Sequence, residues 1–181
     1  MSAHWALSRV LSALLFLSSN LAWANESFEI EELIKNKQWT QAQQKLQWVV
    51  KQSTQTPSPT TSPQWRLMNS QILAGLGQSE KAIEELQGII QEFPELPEPY
   101  NNLGVLFAAQ GNYEAAMSAF VTAIQARPNY KIAHQNLGDL YSAMAQQAYA
   151  KAKNIKEGPA LLPLPAPAAS TTTTTNVRSP R

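Results

Sequence analysis

The feature that most constrains this chain is a period of 34 residues. Ala82, Ala116 and Ala150 are spaced by it, and so are Gly77 and Gly111, Pro94 and Pro128, Leu103 and Leu137, and Gly104 and Gly138. Registers that agree on one period describe a structural unit copied along the chain. A unit this small cannot bury its apolar residues alone, so neighbouring copies must stack and share a core.

Within the period, apolar residues recur in steps of three and four. Leu103, Leu106 and Phe107 make one set; Tyr113, Ala116, Met117, Phe120, Ala123 and Ile124 make the next. Such steps place each set on one face of a helix. Gly111-Asn112 separates the sets and Pro128-Asn129 follows the second. The spacing predicts a helix, a tight turn, a second helix and a stop, with Asn112 capping the second helix by accepting from its free N–H groups.

Residues 97–130 resemble the tetratricopeptide repeat family. Tyr100, Leu103-Gly104, Phe107, Ala116, Phe120, Ala123 and Pro128 follow its pattern, with Tyr100 in place of the leading Trp. Residues 63–96 keep Leu73, Gly77, Ala82, Leu86, Ile89 and Pro94, but Asn69-Ser70 stands where Leu-Gly is expected, which predicts looser packing there. From Lys131 the pattern keeps Leu137-Gly138, Tyr141 and Ala150, with His134 in the aromatic slot. This copy has no Gly between Met144 and Gln147, and Asn154 replaces the Phe, so its second helix is either separate or a straight continuation of the first. Upstream, Leu33, Ala42, Leu46 and Val49 repeat the spacing around Trp39, with Thr40 and Gln43 placed for a capping box.

The resemblance spans residues 27–156 and implies an all-α solenoid of about three to four stacked antiparallel helix pairs. In such a fold Gly104 and Gly138, with Ala116 and Ala150 opposite, let paired helices approach, and Phe120 fills the gap between pairs. Tyr100, Leu103, Phe107, Pro128, Leu137 and Tyr141 complete the expected repeat core.

Composition divides the rest of the chain. Residues 1–24 carry a short cationic start with Arg9, an apolar run from Val10 to Leu21, and Ala22-Trp23-Ala24. This is the pattern of a secretory signal peptide cut between Ala24 and Asn25. The apolar run falls short of the roughly 20 residues that cross a bilayer. The expected mature protein is therefore exported, without a membrane span, and periplasmic if the source is bacterial. Residues 25–52 are expected to form a divergent first helix pair. Residues 53–63 (STQTPSPTTSP) read as a linker, 64–156 as the repeat array, and 157–181, rich in Pro, Ala and Thr, as a disordered tail.

Charge and residue types then exclude several functions. With 14 Lys+Arg against 13 Asp+Glu the chain lacks the basic excess of a nucleic-acid binder, and with no Cys it has no disulfide, thiolate metal site or cysteine nucleophile. No phosphate-binding glycine loop, zinc spacing or nucleophile elbow occurs, so neither cofactor, metal nor catalytic residue is expected. His134 and Asp139, five apart on one helix, point in different directions. The paired glutamates read as solvated helix faces, with Lys81 and Glu85 spaced for a surface ion pair.

The expected work is recognition. In stacked pairs the first helices line the inner face, which would present Asn101, Asn102 and Val105 in one copy, and Gln135, Asn136 and Asp139 in the next. Side-chain amides both donate and accept, so such a row can pair with the backbone of an extended protein or peptide segment. The resemblance implies the same use, since asparagines contact peptides in this family. No cation lies among these positions, unlike repeats that clamp a terminal carboxylate. The rival reading is a self-associating oligomer sealed through apolar surface around Tyr149.

Overall fold

The computed structural model describes residues 25–52 and 62–154. The proposed signal peptide with Ala24, most of the linker and the whole tail lie outside the described residues. The chain divides into two compact units, Met1–Ala145 and Gln146–Arg181.

All regular structure among the described residues is helical. Residues 25–35 form α1. It is followed by α2 (Trp39–Gln52), α3 (Pro63–Gly75), α4 (Ser79–Glu92), α5 (Pro97–Ala109), α6 (Tyr113–Ala126) and α7 (Lys131–Lys153). Helices α1 to α6 make three helix–turn–helix pairs and α7 stands as a single long helix. None of these helices is long and apolar enough to cross a membrane.

Prolines start two of the first helices. Pro63 and Pro97 take early positions of α3 and α5, where a missing N–H costs no intrahelical bond. The turns within pairs share one construction. Gln38, Gln78 and Asn112 donate their backbone N–H to Leu33, Leu73 and Phe107, at 2.8–2.9 Å. The preceding residues, Lys37, Gly77 and Gly111, donate to Ile34, Ala74 and Ala108 at 2.9–3.0 Å. This double closure of a helix end requires a left-handed residue. Gly77 and Gly111 supply it with φ of 77° and 76°, and Lys37 adopts it at 57°. The identical turn makes α1 and α2 a pair of the same kind despite their divergent sequence.

Asn112 caps α6 as expected, its side chain accepting from Ala115 N at 3.3 Å. Thr40 does not cap α2. That helix starts one residue earlier, at Trp39, which leaves Thr40 inside the first turn.

The core forms in successive layers. Ile30, Ala42, Leu46, Val49, Trp65, Met68 and Ile72 are buried together between the first pair and α3. Leu86, Ile89 and Leu103 join the second pair to α5. Ala116, Phe120 and Leu140 join the third pair to α7, with Phe107, Met117 and Leu137 packed beside them. Phe120 thus serves both within its pair and between neighbours. A methyl added to Gly104 would lie 2.5 Å from Phe120 Cε1, so only glycine admits that ring.

As expected, α3 and α4 approach each other less closely than α5 and α6, although Ser70 is itself buried. Its side chain is 2% exposed and its hydroxyl donates to Leu67 O at 2.7 Å, a bond within its own helix turn. Ser70 and Leu86 stand at the repeat positions of Gly104 and Phe120, so a larger small residue is matched by a smaller large one.

The fourth copy departs from the expected core. Helix α7 runs unbroken through Ala145, where the other copies turn. A methyl on Gly138 would meet nothing within 4 Å, Tyr141 is 50% exposed, and Ala150 is exposed. These positions lack burial because no described helix folds back upon them. Pro128 is also exposed rather than part of the core. Of the second unit, residues 146–154 are described, and each is exposed.

Candidate functional site

The first helices carry two clefts within the first unit. One, of about 440 Å³, is lined by Glu31 of α1, by Pro63, Gln64, Leu67, Met68 and Gln71 of α3, and by Leu96, Glu98 and Arg127. Its floor is aliphatic and its rim polar. The other, of about 270 Å³, is lined by Val105 and Ala108 of α5, Tyr113 and Phe120 of α6, and Asn136, Asp139, Leu140 and Ala143 of α7.

The expected asparagine row exists, but its members bond to one another. Asn136 Nδ2 donates to Asn101 Oδ1 at 2.8 Å, linking α7 to α5. Asn101 Nδ2 donates in turn to Asn102 Oδ1 at 3.4 Å. Asn101 is 4% exposed and belongs to the structure beneath the surface. Every bond in the row runs in one direction, so the Asn102 Nδ2 donors remain at one end and the Asn136 Oδ1 acceptor at the other.

Among the other sequence-derived positions, Val105 is 46% exposed and shares the smaller cleft with Asn136 and Asp139. Gln135 is exposed and lines neither cleft. Asn25, the first described residue of α1, is exposed. His134 occupies the aromatic slot without being buried. Its Nε2 lies 2.8 Å from Pro128 O, as the Tyr100 hydroxyl, 34 residues earlier, lies 3.1 Å from Pro94 O. A carbonyl only accepts, so His134 carries its proton on Nε2.

Periodicity alone missed the contribution of the loops. Arg127, between α6 and α7, enters the larger cleft and pairs with Glu98 Oε1 at 2.7 Å, while its guanidinium stacks 5.3 Å from the Tyr130 ring centroid. Burial raises the Tyr130 phenol above its ordinary range; the Glu98 carboxylate adds to this and Arg127 opposes it. Gln64 Nε2 donates to Glu31 Oε1 at 3.2 Å across the cleft mouth. No helix-face count could foresee pairings over 29 and 33 residues.

The remaining charges serve the scaffold. Glu85 does not pair with Lys81, which donates to Gln78 Oε1 at 3.0 Å. Glu85 and Glu92 instead receive Arg66, at 2.6 and 2.7 Å, and these bonds hold the guanidinium in its charged form. The Arg66 side chain lies so close over Gly88, 2.6 Å from a built methyl, that α3 and α4 meet through this glycine. Lys45 bridges Glu26 at 2.5 Å and Glu29 at 2.7 Å, which raises its pKa through those hydrogen bonds.

A row of helix pairs with half-buried amides and small clefts along the first helices defines a class, the helical-repeat scaffold. The sequence model of the tetratricopeptide repeat family matches residues 67–131 and 101–152. Over these residues the chain is a member of that family. Solved structures agree on the fold. A structure of Naa15/Naa10 bound to HypK-THB superposes with a TM-score of 0.56 at 17% identity, over 72% of this chain and 19% of that one. The Sgt2 TPR domain from Aspergillus fumigatus gives 0.53 at 18% identity, over 81% and 91%. This chain therefore spans about a fifth of the first structure's chain and corresponds to nearly all of the second.

Proposed function

We propose that this protein is an exported scaffold that holds an extended segment of a partner protein along the first helices. The observation that carries this reading is the polarised amide row. Its open donors on Asn102 and its open acceptor on Asn136 offer the two things a peptide backbone needs, an N–H acceptor and a C=O donor, independent of the partner's sequence. Val105 and the smaller cleft beside it supply apolar contact. Export to the periplasm rests on the composition of residues 1–24.

The reading has a direct test. Full-length protein immobilised on beads is incubated with envelope extract beside Asn102→Ala and Val105→Glu variants. Val105 is half-exposed, so Val105→Glu should melt like the parent, while Asn102→Ala, which loses the acceptor of the 3.4 Å bond from Asn101, should melt only slightly lower. Proteins held by the parent and lost from both variants support the groove; equal recovery contradicts it.

Tyr149, 72% exposed in the second unit, favours a second reading, self-association through this part of the chain. Light scattering across a concentration series separates the two. A mass that stays monomeric to high concentration removes the oligomer.

A further inference from the structure

We infer that the occupant of the smaller cleft carries a lysine or arginine, placed against Asp139. This rests on the peptide-groove reading above and concerns the side chain that the groove selects.

Among the described residues, Asp139 is the cleft carboxylate left without a partner. Glu98, on the rim of the larger cleft, is neutralised by Arg127 at 2.7 Å, and Glu31 there accepts from Gln64. Glu26 and Glu29 share Lys45, and Glu85 and Glu92 share Arg66. Asp139 has no ion pair among the described residues, and it lines a cleft whose other walls are Val105, Ala108, Tyr113, Phe120, Leu140 and Ala143 with Asn136. Asn136 cannot neutralise it, because its side-chain amide carries no charge. The cleft therefore presents a lone carboxylate bordered by apolar surface. A long cationic side chain suits it, because the alkyl stem of Lys or Arg covers apolar walls while its head meets the acid. An acidic side chain would be repelled, and a neutral one would leave the carboxylate with water as its only partner.

The experiment is selection of random twelve-residue peptides displayed on phage against the full chain and against Asp139→Asn. Circular dichroism and melting first establish that the exposed substitution leaves the fold intact. The expected result is peptides whose capture requires Val105 and Asn102, with Lys and Arg enriched at least threefold over the input library. That enrichment should vanish for Asp139→Asn, and capture of a selected peptide should weaken several-fold between low and high salt. Groove-dependent peptides without basic enrichment, or with enrichment unchanged in Asp139→Asn, overturn this inference and leave the groove reading standing. Recovery of no groove-dependent peptide overturns both.

Discussion

Asn136 on the last helix donates its amide to the buried carbonyl oxygen of Asn101 on α5, 2.8 Å away and 35 residues earlier in sequence. The bond ties the unpaired seventh helix to the third pair, next to the Leu140 and Phe120 contact. Removing the donor strands an acceptor in a site that water barely reaches. Asn136→Ala should destabilise the fold by about 1–3 kcal/mol, seen as a lower urea midpoint at unchanged slope. Asn102→Ala, at the other end of the row, removes only the longer 3.4 Å bond and should cost well under half as much.

Gly104 and Phe120 test the packing between paired helices. Gly104→Ala should cost about 1–3 kcal/mol through the clash with the ring, and Phe120→Ala about 3–5 kcal/mol through the cavity it leaves. In a Phe120→Leu background, which matches the Leu86 of the second pair, Gly104→Ala should cost measurably less. A double-mutant cycle by thermal denaturation reads the coupling. Strict additivity would mean that the ring and the glycine do not meet.

Lys37 marks a third test. It holds a left-handed conformation at the turn where Gly77 and Gly111 serve the other pairs. Lys37→Gly should stabilise by about 0.5–1 kcal/mol, whereas Gly111→Ala should destabilise by about 1–2 kcal/mol. Both are checked by the shift in melting temperature.

Alkaline pH should expose the Lys45 bridge. Its bonds to Glu26 and Glu29 raise its pKa above 10.5 in the folded chain. The folded state thus holds the proton more tightly than the unfolded one. The stability this contributes is complete below pH 10.5 and is lost as pH rises through the higher folded value. Lys45→Met should lower stability at pH 8 and flatten the alkaline limb of a pH series of melting curves. A limb of unchanged steepness would place the titration elsewhere.

Much of this architecture was legible because helix faces and turns are local. Leu103, Phe107, Ala116 and Phe120 announce themselves by spacing, and Gly111-Asn112 marks the turn and its cap. The end of the array was not. A missing Gly does not decide whether a helix turns, since Lys37 turns without one and Ala145 does not. What distinguishes them is the reward for turning. Residues 39–52 bring Ala42, Leu46 and Val49 to a core, whereas 147–154 offer Tyr149 among alanines, lysines and Asn154, too little apolar surface to repay reversal. In the site, the inner-face positions followed from the period, but the bond between Asn101 and Asn136, and the pairing of Arg127 with Glu98, depend on how separate pairs stack. Spacing within one helix carries no information about that.

The proposed binding face comprises the first helices of the pairs together with α7. Amide hydrogen exchange of the full chain, with and without a bound peptide or partner, tests it most directly. New protection is expected in residues 98–108 and 131–143, with α4 and α6 unchanged. Protection confined to residues 79–92 and 113–126 would contradict it.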